Sequence, residues 1–104
     1  METCGIPNEL QSFLNERKQL KLWPAKRKKQ LMALWYLTGR LEAGKTYSES
    51  EINVLLDEWT TFHDPATLRR ELYNHFLLDR LSDGRQYWRT EEIPPLETFL
   101  STYL

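Results

Sequence analysis

The clearest candidates for chemistry are three polar side chains on a predicted helix that begins after Asp64. Thr67, Arg70 and Asn74 are spaced i, i+3 and i+7, which places them on one helical face. Arginine pairs bidentately with guanine and asparagine with adenine, while threonine contacts a base or a phosphate. We interpret this face as a candidate for reading DNA bases; the alternative is an ordinary solvent-exposed polar face.

The opposite face of the same predicted helix is apolar. Leu68, Leu72 and Phe76 recur at helical spacing, so we expect all three in the core and the helix to end near Leu77. Arg69 lies nearer the edge of the core. An internal ion pair and a contact with phosphate both fit that position.

Four consecutive basic residues, Lys26, Arg27, Lys28 and Lys29, fall in the first turn of a helix predicted to begin at Pro24. Cations at a helix start oppose the helix dipole, whereas a bound phosphate would use both the cations and the free N–H groups. The alternative is that they only keep the surface soluble. The other candidates for phosphate contact are Arg69, Arg80, Arg85 and Arg89.

The total charge hides this basic character. The chain has 104 residues and a formal net charge of -1, which argues against a generic nucleic-acid binder. However, eight basic residues and no acidic residue lie between Arg17 and Arg40, while six acidic residues and one lysine lie between Leu41 and Asp64. The near-neutral total therefore results from basic and acidic segments whose charges cancel. The alternative is that these segments form solvated faces that fold against each other.

Periodicity and capping signals order the elements. Ser48 and Glu51 form a capping box, and Asp83-Gly84 is typical of a hairpin turn in which both residues have positive φ. The predicted order is a helix from Asn8 to about Lys18, a helix from Pro24 to about Gly39, an extended segment at Lys45–Tyr47, a helix after Ser48, a helix after Asp64, a hairpin of residues 80–82 with 85–89, and a C-terminal helix.

Two helices joined by a short turn and followed by a hairpin indicate a winged helix-turn-helix. We predict a mainly α fold with a small β-hairpin, a winged helix-turn-helix-like domain with added terminal helices. Residues 1–22 would form an N-terminal helix and an extended entry segment, residues 23–90 the winged-helix core, and residues 91–104 an amphipathic tail. The alternative is a three-helix bundle with an incidental hairpin.

The two terminal segments carry more apolar residues than the predicted core needs. We expect a homodimer that reads two half-sites. The candidate dimer contacts are Leu10, Phe13, Leu14, Leu96, Phe99, Leu100 and Tyr103. The alternative is that these residues cover the core of their own chain.

Other classes of function find little support. His63 and His75 have no nearby ligand pair, so we expect no metal site. No catalytic constellation is recognisable in the sequence, so we expect no enzymatic activity and no cofactor. The single cysteine, Cys4, allows no intrachain disulfide and fits a reducing cytoplasm. We expect no signal peptide and no membrane span. An effector ligand is not indicated.

Several motifs resemble a known family. They are the Pro24–Lys29 run, Lys45-Thr46-Tyr47-Ser48-Glu49, Glu51-Ile52-Asn53, His63-Asp64, Leu68-Arg69-Arg70-Glu71-Leu72, Asp83-Gly84 and Tyr87-Trp88-Arg89. From about Trp23 to Arg89 the chain is similar to the bacterial domain-of-unknown-function family 2087. The resemblance implies a winged-helix-like fold and a link to transcription, and it brings no catalytic residue.

Together these observations predict a DNA-binding winged-helix protein, a bacterial transcriptional regulator whose partner is double-stranded DNA. The alternative is a protein–protein interaction module on the same scaffold that does not bind DNA.

Overall fold

The protein is described by a computed structural model over residues 8–104, and the elements follow the predicted order. A 3-10 helix at Asn8–Phe13 comes first. It is followed by α1 (Arg27–Thr38), α2 (Glu49–Glu58), α3 (Pro65–Asn74), β1 (Leu78–Arg80), β2 (Tyr87–Arg89) and α4 (Leu96–Tyr103).

The two predicted helix starts in the middle of the chain are confirmed. At α2, the Ser48 N–H donates to the Glu51 side chain at 2.8 Å, and the Glu51 N–H donates back to the Ser48 hydroxyl at 3.1 Å. At α3, the Asp64 carboxylate accepts from the Thr67 N–H at 3.4 Å, with Pro65 at the first helical position. Local capping therefore fixes where both helices of the helix-turn-helix begin.

The two earlier helix boundaries were predicted wrongly. α1 begins at Arg27 rather than Pro24, because the backbone of Lys26 is extended, with ψ 139°; the Pro24 carbonyl accepts from the Gln30 side chain at 2.8 Å. The first helix ends at Phe13 rather than near Lys18, since the Asn15 side chain accepts from the N–H groups of Arg17 and Gln19 and turns the chain. Competition by side-chain amides with helical hydrogen bonds explains the second difference.

The end of α3 also differs from the prediction. The helix stops at Asn74, and Phe76 adopts φ 62°, in the left-handed region. The Leu77 N–H donates to the Leu72 carbonyl at 3.0 Å and the Phe76 N–H to the Tyr73 carbonyl at 3.1 Å. This bond pair is the Schellman helix end, in which glycine usually occupies the position of Phe76. Phe76 is 79% exposed, so its predicted place in the core is wrong.

The hairpin is displaced along the chain from its predicted position. β1 and β2 pair antiparallel, with Leu78 opposite Arg89 and Arg80 opposite Tyr87. The predicted two-residue turn is wrong: the Leu81 N–H donates to the Gln86 carbonyl, which closes a wider loop in which Gly84 has positive φ and Asp83 does not. The buried Leu77 and Leu78 explain the shift, because they draw the first strand towards the core.

A third extended segment joins the hairpin. Tyr47 forms an antiparallel bridge with Tyr87, and the two residues exchange N–H···O bonds of 2.8 and 2.7 Å. β2 therefore lies between β1 and the segment that precedes α2. Together with the order of the helices, this arrangement confirms a mainly α, winged-helix-like fold with added terminal segments.

One core contains residues from every part of the described chain. Leu10, Leu14 and Phe99 are buried together with the apolar residues of α1, α2 and α3. Phe13, Leu96, Leu100 and Tyr103 pack partly buried against the same cluster. Of the two alternatives left open for the terminal segments, the structure thus places these residues over the core of their own chain.

We expect Phe76→Gly to stabilise the fold. Glycine removes about 1–2 kcal/mol of left-handed strain, and its greater freedom in the unfolded chain costs about 0.4–1 kcal/mol. Urea unfolding should therefore show a gain of about 1 kcal/mol over the wild type. Phe76→Ala is the matched control, because it removes the ring but retains Cβ and the strain. Equal stability of the two variants would show that the left-handed backbone at residue 76 is not strained.

Candidate nucleic-acid interface

A groove between α3 and the hairpin is the strongest candidate site among the described residues. Its cavity of about 180 Å³ is lined by Arg69, Arg70, Tyr73, Arg80 and Tyr87. Three arginines come from α3 and β1, and two tyrosines supply aromatic walls. Guanidinium groups and phenol hydroxyls are donors suited to phosphate and base edges.

Arg69 lies on the side of the groove where neighbouring elements contact its guanidinium. Its guanidinium donates to the Asn53 side-chain oxygen, and lies 3.6 Å from the Glu49 carboxylate. It also lies 5.8 Å from the centre of the Tyr87 ring, with its side chain 19% exposed. Arg69 therefore ties α3 to α2 and to β2; of the two alternatives left open for it, the structure shows the ion pair within the chain.

Arg70 and Arg80 form the open side. Arg70 is exposed on α3, and no ion pair joins it to an acid within residues 8–104. The Arg80 guanidinium lies 4.9 Å from the centre of the Tyr73 ring, a cation–π contact that keeps the charge on the groove wall. Two positive charges are thus held beside the outer face of α3.

The predicted base-reading face is only partly assembled. Arg70 and Asn74 are exposed, whereas Thr67 is half-buried and its N–H is used by the Asp64 cap. Arg70 and Asn74 differ by four residues, so they lie on the same side of α3 one turn apart. The structure therefore presents an arginine and an amide together, with Thr67 nearer the helix start.

The remaining two hairpin arginines make local contacts. Arg89 donates to three backbone carbonyls, those of Thr90 at 2.8 Å, Leu41 at 3.2 Å and Glu91 at 2.9 Å. Arg85 is 82% exposed and pairs with Asp83 at 2.8 Å. Hydrogen bonds from the Arg85 backbone and side chain lower the pKa of Asp83. Neither arginine lines the groove.

The basic cluster at the start of α1 faces the terminal segments. Lys28 and Lys29 lie 3.3 and 3.1 Å from the Glu9 carboxylate, and their hydrogen bonds lower its pKa, with Lys29 contributing most. Arg27 donates to the Tyr103 carbonyl at 3.4 Å and lies 3.3 Å from His75 Nε2. Lys26 is exposed just before the helix. Three of the four cations therefore contact the 3-10 helix at Asn8–Phe13 or α4.

Sequence reasoning missed the two tyrosines of the groove. Tyr73 follows Arg69 by four residues and Arg70 by three, a spacing that places an aromatic ring beside both arginines on a helix. That spacing was visible in the sequence. Tyr87 was not predictable in the same way, because only pairing with Tyr47 and Arg80 brings it to the groove.

Other kinds of site find no support in the described part of the chain. Across residues 8–104, no group of three His, Cys, Asp or Glu side chains is arranged to hold a metal ion. In the same range, no helix has the length and apolar character needed to cross a membrane.

The fold and groove define a small winged-helix-like domain with a basic groove beside its third helix. Residues 19–89 match the family DUF2087, described as an uncharacterized protein conserved in bacteria, and the chain belongs to this family. The resemblance in the sequence is thereby confirmed. No curated protein and no solved structure matches the chain.

We expect substitution of Arg85 and of Arg89 to have different effects on stability. Arg89→Met should lower the free energy of unfolding by about 1–3 kcal/mol, since three carbonyls lose a charged donor. Arg85→Met should change it by less than about 0.5 kcal/mol, because its ion pair is exposed. Urea unfolding of both variants measures this difference. Equal effects would show that Arg89 does not brace the hairpin.

Proposed function

We propose that this protein binds double-stranded DNA through the outer face of α3 and the adjoining groove, and that it acts as a bacterial transcriptional regulator. The observation that carries the proposal is the meeting of Arg70 and Arg80 beside the exposed Asn74 on one side of the molecule. In winged-helix proteins the second helix of the pair is the one that enters the major groove.

Some of these residues contact bases, and the others contact phosphate or position a neighbouring residue. Arg70 has the geometry to pair with guanine and Asn74 with adenine. Arg80 on the groove wall supplies a phosphate contact, which positions the domain without reading sequence. Arg69 is a positioning residue, since its bond to Asn53 fixes the turn of α3 that carries Arg70.

The distribution of ion pairs explains how a chain of net charge -1 can present a positive surface. Glu49 and Glu9 are turned towards Arg69 and the α1 lysines. Arg70 and Arg80 have no such acidic partner within residues 8–104. The groove therefore holds two cations that pair with no acid within residues 8–104, which supports the binding of a polyanion there.

A dimer belongs to the same proposal. One domain contacts a short site, and twofold pairs of such domains read two half-sites about one helical turn apart. The contact would use exposed surface rather than Leu10, Leu14 and Phe99, because these residues are buried in their own chain. Analytical ultracentrifugation across a range of concentrations would measure this association.

The salt dependence of binding tests the electrostatic part. Affinity for duplex DNA should fall with salt by about 0.9 log units per log salt for each phosphate contact. Replacing both Arg70 and Arg80 with glutamine should weaken binding and flatten that slope. The matched control is the exposed pair Arg17→Gln with Lys21→Gln, which removes the same charge outside the groove. Equal effects of the two double variants would contradict the proposal that DNA binds at the groove.

The sequence preference tests the reading part. Duplexes selected from a random pool by the wild type should be bound by Arg70→Ala about 1–3 kcal/mol more weakly, mainly on the preferred sequence. Arg80→Ala should weaken binding to preferred and random duplexes alike. Failure of the wild type to bind any duplex at low salt would overturn the proposal.

A second candidate is a protein–protein interaction module on the same scaffold. It is favoured by the contacts in which acids neutralise bases, namely Glu49 with Arg69 and Glu9 with Lys28 and Lys29. These pairs reduce the positive field available to DNA. Absence of DNA binding in the salt titration would favour this candidate.

A further inference from the structure

Phe76 combines two unfavourable features at the end of α3. Its backbone is left-handed, a conformation that a bulky residue rarely adopts, and its ring is 79% exposed. A ring that packed in the core would offset the strain by burying apolar surface, and this one does not. Strain without compensating burial is typical of positions kept for a function.

The ring borders a cavity of about 310 Å³ at the junction of α3 and β1. The lining residues are Tyr73, Asn74, Phe76, Leu78 and Asp79. Leu78 is buried in the core, whereas Asn74 and Asp79 are exposed polar groups beside the aromatic rings. The Asp79 carboxylate accepts the Arg80 N–H at 2.8 Å, which fixes it next to the cavity. Flat aromatic surface and hydrogen-bonding groups are therefore adjacent.

This cavity adjoins the basic groove. Tyr73 lines both, and the Arg80 guanidinium lies over its ring. A strand whose phosphates contacted Arg70 and Arg80 would therefore pass the Phe76 ring. The neighbouring positive charge favours a nucleic acid over an apolar protein segment as the occupant.

We infer that this cavity receives one base that is unstacked from the DNA bound by α3. Phe76 stacks on the face of the base, as aromatic side chains do in many nucleic-acid complexes. Asp79 meets its edge, where a carboxylate accepts from the amino group of cytosine, while Asn74 stays with the stacked adenine that it reads. The inference rests on the proposed function, since the base belongs to the same DNA.

Mismatched duplexes test this inference, because an unpaired base costs less to extrude than a paired one. The probes are a duplex selected by the wild type and the same duplex with one mismatch placed at successive positions. Wild type should bind one of the mismatched duplexes about tenfold more tightly than the perfect duplex. Phe76→Ala should lose that preference and bind at least about fivefold more weakly, whereas Phe76→Tyr should retain it.

Controls separate the possible outcomes. Leu104→Ala removes another exposed apolar side chain, which lines neither the cavity nor the groove, and should bind as the wild type does. If the wild type binds the perfect duplex but prefers no mismatch, or if Phe76→Ala keeps the preference, the inference is overturned and the proposed function stands. If the wild type binds no duplex, both are overturned. Phe76→Gly, which removes the strain, should lose the preference without losing stability.

Discussion

The left-handed backbone at Phe76 is the constraint on which the rest of the candidate site depends. It ends α3 with the Leu77 N–H bonded to the Leu72 carbonyl and reverses the chain. Leu77 and Leu78 then enter the core, and β1 starts beside the helix that it has just left. Without this turn α3 would continue, and the hairpin would not lie beside it.

The groove follows from that reversal together with one charged side chain. Arg69 reaches from α3 to Asn53 on α2 and to the Tyr87 ring on β2, so it links the three elements. Tyr47 pairs with Tyr87 and holds β2 from its other side. Arg70 and Arg80, which the sequence separates by ten positions, therefore share one cavity. Backbone pairing and one arginine build the site, and within residues 8–104 no ion pair joins Arg70 or Arg80 to an acid.

Several features were predictable because their causes are local. The caps of α2 and α3 depend on residues three positions apart, Ser48 with Glu51 and Asp64 with Thr67, so they can be seen in the sequence. Leu68 and Leu72 were placed in the core from helical spacing, and both are fully buried. For Arg69 the sequence left two alternatives open, an internal ion pair and a contact with phosphate. The choice between them depended on how α2 packs against α3.

The sequence by itself determined the order of the elements, the starts of α2 and α3 and the polar face of α3, since capping and periodicity act over a few residues. Tertiary structure decided which cations are available. Arg89 donates to three carbonyls and Lys28 and Lys29 pair with Glu9, while within residues 8–104 no acid pairs with Arg70 or Arg80. It also decided that Phe76 leaves the core, although its spacing matched Leu68 and Leu72. The physical reason is that burial and ion pairing depend on partners distant in the chain, and no local pattern records where packing will bring them.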